Sequence, residues 1–191
     1  MKLLTTVTEA FGRVSMHGVR EQILDAQAAS VGLPLVKVRI PHPCPNATYE
    51  RAMENALARA GREGVRHVVF GDLFLDDIRA YREAMLGAAG FEGVFPLWGR
   101  PTLELAREMI GSGLRARVCC LDPKLLAASF GGRAFDTSFL AELPPSVDPC
   151  GERGEFHTCV TAGPGFRSTL EVRVGETVER DGFVFTDLVL E

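Results

Sequence analysis

Apolar residues fall into short runs broken by glycine and proline, and the runs change period along the chain. Residues 2–7, Lys-Leu-Leu-Thr-Thr-Val, are rich in β-formers and predict a short buried strand. A polar loop reaches Gly18. Val19, Ile23, Ala26 and Val31 then recur near helical spacing and predict a helix over 19–31, closed by Gly32 and Pro34. Residues 35–40 read as the next strand. Pro41-His42-Pro43-Cys44-Pro45 fixes φ and removes donors, so it is irregular. Asn46 or Thr48 is placed to cap a helix reaching Arg62. The alternation continues with a strand at 65–70, a helix at 78–89, a short strand at 91–97, a helix from Thr102 to Ser112 and a buried strand at 114–121.

Beyond 121 the period changes. Residues 122–129 read as a helix or a turn, Gly131-Gly132 breaks the chain, and 135–143 form a short helix before Pro144-Pro145. The runs 156–162, 169–178 and 182–190 alternate apolar and polar, with Arg180-Asp181-Gly182 as a hairpin signal. Strand–helix alternation predicts an α/β fold with a parallel sheet and flanking helices over 1–95. The last part predicts an α+β region over 96–191 that holds a small antiparallel β unit.

Composition narrows the class. The 191 residues suffice for one sizeable core, or one domain with an appendage. Hydrophobic residues at 46% and charged residues at 24% fit a globular protein in water. A net charge of −4 gives no overall basic footprint for nucleic acid. No run is long enough to span a membrane, and the first residues lack a signal-peptide pattern. Five cysteines, two of them adjacent at Cys119-Cys120 in an apolar run, suit a reducing compartment. The expectation is a cytoplasmic protein.

Chemistry concentrates in Asp148-Pro149-Cys150-Gly151-Glu152-Arg153-Gly154-Glu155-Phe156-His157-Thr158. Gly151 and Gly154 let the backbone turn tightly or approach a ligand. A turn brings Glu152 and Glu155 to one side; a strand from Glu155 puts Glu155 and His157 on one face instead. Carboxylates held on a tight backbone at a strand's lip suit general acid/base work or capture of an amine. A solvated turn is the plain alternative. A metal site built from Asp148, Cys150, Glu152, Glu155 and His157 is a third, without the paired spacing of a structural zinc site. A second cluster follows the strand at 65–70: Gly71-Asp72, then Arg79, Arg82 and Glu83 on the next helix. Ligands of open parallel sheets sit at such strand ends. Arg79 and Arg82 share a helix face and suit a phosphate or carboxylate, whereas an Arg79–Glu83 pair is the solvated-face alternative.

Five stretches taken together are specific: Ser15-Met16-His17-Gly18-Val19-Arg20, Gly71-Asp72-Leu73 with Arg79 and Arg82-Glu83, Pro96-Leu97-Trp98, the acidic loop through Thr158, and Gly163-Pro164-Gly165-Phe166. In this order they resemble the diphthine–ammonia ligase family of the PP-loop (N-type ATP pyrophosphatase) superfamily, including its bacterial members described as adenine nucleotide alpha hydrolases. The resemblance implies a HUP-like, Rossmann-like sheet in the first region and a substrate-binding second region. It implies ATP-dependent, Mg2+-assisted activation of a carboxylate as an acyl-adenylate, then attack by ammonia. It places Met16, His17, Gly71 and Asp72 near ATP. Arg79, Arg82, Glu83, Cys150, Gly151, Gly154 and Thr158 fall to the substrate, and Glu152, Glu155 and His157 to catalysis, with Glu155 as the ammonia-side base.

Two departures modify that picture. The family's loop reads close to Glu-Gly-Gly-Glu-Phe/Tyr-Glu-Thr; here Arg153 stands for a glycine and His157 for an acid. That favours a small-molecule or protein-borne carboxylate other than diphthine. The superfamily's phosphate loop, Ser-Gly-Gly-Lys-Asp-Ser, is not found before the first strand. By the resemblance, the chain then enters the fold at its second strand, leaving the sheet incomplete beside two open edges. A longer natural chain, a complementing N-terminal segment or homodimer, or a non-catalytic nucleotide- or substrate-binding remnant would each account for this.

Overall fold

The parallel pairing begins with β1, Leu3–Thr8, whose valine and threonines suit a half-buried strand. The computed structural model describes Met1–Glu191, in which β1 pairs in parallel with β3, Leu35–Ile40, from Leu3↔Leu35 to Thr8↔Ile40. The two-residue β2, Arg13–Val14, folds back on the end of β1. Helix α1, Glu21–Val31, joins β2 to β3. Gly32 closes it at φ 75°, donating to the carbonyls of Ala28 and Ala29, as the Gly32-Pro34 signal predicts. Helix α2, Asn46–Arg62, starts directly after Pro45, and neither Asn46 nor Thr48 caps it through a side chain. Proline is preorganised for a helix entrance, so the cap is dispensable there. Pro101 does the same for α4, Thr102–Gly111, in place of the expected Thr102 cap.

Strands β4, His67–Val69, and β5, Glu92–Val94, also pair in parallel, flanking helix α3, Asp76–Ala88. Each has only three residues, shorter than the apolar runs suggest. Val69 is 65% exposed, unlike the covered strands typical of parallel sheets. The expected single parallel sheet is thus present as two parallel pairs, β1 with β3 and β4 with β5, in separate sheets.

The remaining strands are antiparallel: β6, Arg115–Leu121; β7, Phe156–Ala162; β8, Val172–Arg180; and β9, Phe183–Leu190, in the order β7-β6-β9-β8. The hairpin turn between β8 and β9 has Asp181 at φ 53° and Gly182 at φ 81°, the two positive values of a type I′ turn. Residues 122–129 resolve into a turn that runs into one 3-10 turn at Ala128–Phe130. Helix α5, Thr137–Glu142, is capped by Asp136, which accepts from the Phe139 N–H at 2.9 Å.

The main core belongs to this second region. Ala106, Val118, Leu121, Leu126 and the rings of Phe135, Phe139 and Phe156 are among its ten buried residues. A smaller cluster seats α1 on the antiparallel sheet, through Val19 and Ile23 against Cys119, Cys159 and Leu188. Gln27 Nε2 donates to the Val160 carbonyl at 2.7 Å, and Ser30 Oγ to the Ser168 carbonyl at 2.8 Å. No helix is long and apolar enough to cross a membrane.

Candidate functional site

The loop between α5 and β7 is shaped by its own carboxylates. Glu155 is only 2% exposed, and its two oxygens accept from the backbone N–H of Asp148 at 2.8 Å and of Arg153 at 2.9 Å. Asp148, also buried, accepts from the N–H of Cys150 at 2.9 Å and of Glu152 at 3.3 Å. Both acids therefore tie the loop's ends and its tip together. Gly151 is required: at φ 69°, an added Cβ would lie 2.5 Å from the Phe156 carbonyl oxygen. Cys150 is turned inward, with Sγ 3.3 Å from the Thr102 carbonyl, and burial pushes its thiol up to about 12.

Glu152 faces the other way, towards the first region. Its Oε1 accepts from the Leu73 N–H at 2.7 Å. Burial raises its pKa, with Asp72 and Asp148 adding to the shift, while the N–H groups of Leu73 and Phe74 oppose it. No protein donor meets its Oε2 in good hydrogen-bond geometry, although the Phe74 N–H lies near the carboxylate. A carboxylate with one oxygen fixed and one open, and a raised proton affinity, is equipped to exchange a proton with a bound amine.

Beyond Leu73 stands a frame of arginines and aromatic rings. Arg82 Nε pairs with Asp72 at 3.1 Å, and its guanidinium lies 4.4 Å over the Phe70 ring. Arg79 Nε pairs with Glu83 at 2.8 Å and sits 4.8 Å over Phe95 and 4.7 Å over Trp98. Phe70 and Phe95 stack at 5.4 Å. In both arginines the terminal amino groups are left without an acceptor, so the frame holds each fork in place and keeps donors for an anion. The Gly99 N–H donates to the Leu73 carbonyl at 2.7 Å, which fixes the strand end on which Glu152 leans.

The structure thus brings Asp72, Arg82 and Glu152 together, with Arg79 and Glu83 in the adjoining aromatic frame. Gly71 lies at the end of β4 with open space where a Cβ would stand. Thr158 sits in β7 opposite Val118, and Gly154 turns the loop at φ 83°. His17 lies elsewhere: its ring packs against that of His157, centroids 4.4 Å apart and tilted by 38°, bridging the Ser15–Gly18 loop and β7. Burial first, and His17 second, bring His157 down to about 4, so it is neutral near pH 7. Met16 lines a separate cavity beside the β8–β9 hairpin. The side chains of Asp148, Cys150, Glu152, Glu155 and His157 do not gather as a metal-binding set. The sequence reading gave no role to the Phe70–Phe95–Trp98 frame. The apolar spacing of Phe70 and Phe95 at two strand ends was the available signal.

Residues 101–187 match the family described as diphthamide synthase C-terminal domain. The match takes in α4, the acidic loop, and the antiparallel sheet to near its end. No curated protein matches the chain.

Proposed function

We propose that this chain, whose residues 101–187 carry a domain of the diphthine–ammonia ligase family, serves ATP-dependent amide formation from a carboxylic acid and ammonia. The observation that carries the reading is the Leu73–Glu152 bond, which draws the family's acidic loop onto Asp72, Arg79 and Arg82 outside the matched segment. The free forks of Arg79 and Arg82 bind the substrate carboxylate. Gly71 and Asp72, at the open end of β4, would receive ATP with its Mg2+, which would shield the phosphate charge. A carboxylate oxygen attacks the α-phosphorus and pyrophosphate leaves, giving the acyl-adenylate.

Glu152 receives a proton from ammonium through Oε2, releasing the lone pair that attacks the acyl carbon; AMP departs, its phosphate oxygen taking the second proton that the nitrogen sheds. Glu155 is the positioning residue: it sets the loop so that Glu152 reaches Leu73. His157, buried and neutral, joins β7 to the His17 loop instead of meeting ammonia. Arg153 makes the loop less acidic than the family's pattern, which favours an acid other than diphthine.

A second reading is a non-catalytic nucleotide- or substrate-binding module. It is favoured by one observation: the parallel strands form two separate pairs where a HUP-like nucleotide-binding domain has one sheet. Release of AMP and pyrophosphate from ATP, with ammonium and a panel of carboxylic acids, separates the two. The ligase reading expects acid-dependent pyrophosphate release and, with ammonium, AMP release; Glu152→Gln abolishes the ammonium-dependent AMP release while ATP binding persists. ATP binding without release for any acid supports the module, and loss of neither activity nor binding in Glu152→Gln removes the assigned role.

A further inference from the structure

A cavity of about 580 Å3 lies between the two regions, lined by Thr8, Phe11 and Arg13–Met16 on one side and by the β8–β9 hairpin on the other. None of its lining residues belongs to the acidic loop, to β4 or to α3. The volume is in the usual range for a small-molecule site.

Its floor is charged and rigid. Arg13 Nη1 donates to Asp187 Oδ1 at 2.8 Å and to the Gly18 carbonyl at 2.7 Å. Arg20 Nε grips the same carboxylate at 3.0 and 3.1 Å. Two guanidinium groups against one carboxylate leave one positive charge in excess. Nη2 and Nε of Arg13 and Nη1 of Arg20 have no protein acceptor, so the floor keeps donors for an anion.

The rim is apolar. Phe11 is 40% exposed, Met16 62% and Val178 43%, so three of the chain's exposed large hydrophobic residues surround one opening. Met16 holds φ 65°, a costly conformation for a side-chain-bearing residue, and this presents its thioether at the mouth. Phe185 forms a wall; Gly18 admits it, because an added Cβ would stand 2.6 Å from the ring. Glu176, Arg180 and Asp181 also line the cavity; the Arg180 guanidinium lies 4.5 Å over the Phe11 ring, and the two carboxylates disfavour a multiply charged anion.

We propose that this cavity binds a small amphipathic monoanion, an aryl-substituted carboxylic acid, with its carboxylate on Arg13 and Arg20 and its ring between Phe185 and the Phe11–Met16–Val178 rim. The site is separate from the amide-forming centre and does not depend on it.

The test uses the full chain labelled with 13C at its methionine methyls, five in number, with the Met16 signal assigned through Met16→Leu. The probe is 3-phenylpropionate; 3-phenylpropanamide and phenethylamine are the neutral and cationic controls. The Met16 methyl shifts saturably with a dissociation constant of about 1 mM, as expected for so small a ligand. Both controls bind at least about tenfold more weakly, a difference of one decade in affinity. Val178→Glu at the exposed rim weakens the probe by about the same factor, and Phe11→Ser gives a second variant of the rim. A Met16 methyl that does not move, equal binding by the amide or the amine, or unchanged affinity in both rim variants overturns the proposal.

Discussion

Residues 1–95 and 96–191 are almost equal in length but not in how they hold themselves together. The second region surrounds its own core: ten buried residues, three of them phenylalanines, lie among α4, α5 and one face of a four-stranded sheet. The first region has a cluster of three, Val38, Ile40 and Met53, between β3 and α2, with no residue from the β4–β5 pair. Its best-buried helix, α1, packs against the other region instead. The contrast teaches that strand–helix alternation fixes local structure without supplying a shared interior. An antiparallel sheet joined by hairpins closes locally, whereas parallel pairs need neighbours on both faces.

The strongest way to break this contrast is truncation in each core. Phe139→Ala is expected to cost about 4 kcal/mol, because a fully buried ring leaves a cavity, measured by urea unfolding. Met53→Ala is expected to cost about 2 kcal/mol in its smaller cluster, with hydrogen exchange rising in β1 and β3 before β6 and β7. Equal costs and uniform exchange would show that the regions share one cooperative core after all.

Next comes the acidic loop. Glu155→Ala removes the acceptor of two backbone N–H groups and should destabilise by about 2 kcal/mol. Glu152→Gln, which keeps an acceptor for Leu73, should cost less than about 1 kcal/mol in the same urea experiment. A reversal of this order would mean that Glu155 is not the organiser of the loop.

The contact between the regions has its own pH signature. His157 titrates at about 4 in the folded protein and near 6.5 in the unfolded chain, so the unfolded state takes up the proton first as pH falls. Stability should therefore decline between about pH 6.5 and 4, by about 3 kcal/mol, and level off below. His157→Gln should flatten that stretch of the profile. A wild-type curve already flat there would show that the histidine pair does not control the contact. The smallest effect is expected on the open strand: Val69→Thr should stay within about 0.5 kcal/mol of wild type, and a larger loss would mean that β4 is covered in solution.

Sequence patterns carried the local features well. Gly32 after α1 and Asp181-Gly182 in the hairpin announce backbone geometry that few other residues adopt. The acidic loop was legible as a place, because its glycines and acids are contiguous. The division of work inside it was not: Glu152 and Glu155 look alike in sequence, and only packing separates a buried organiser from a half-open carboxylate. The ends of β4 and β5 were overestimated, since an apolar run extends as a strand only where a neighbour pairs with it. The Arg13–Asp187 and Arg20–Asp187 bonds span most of the chain, so no local pattern could have foretold the cavity floor.

The seat of α1 bears on how the chain is made. This helix is synthesised well before its receiving surface, which contains Cys119, Cys159, Ser168 and Leu188. During synthesis, the apolar shelter of Ile23 is assembled piecemeal, from Cys119, then Cys159, then Leu188, so its burial is completed only with β9. A stall or premature stop before β9 would leave that helix without Leu188, while most of the second region's own core had already been synthesised.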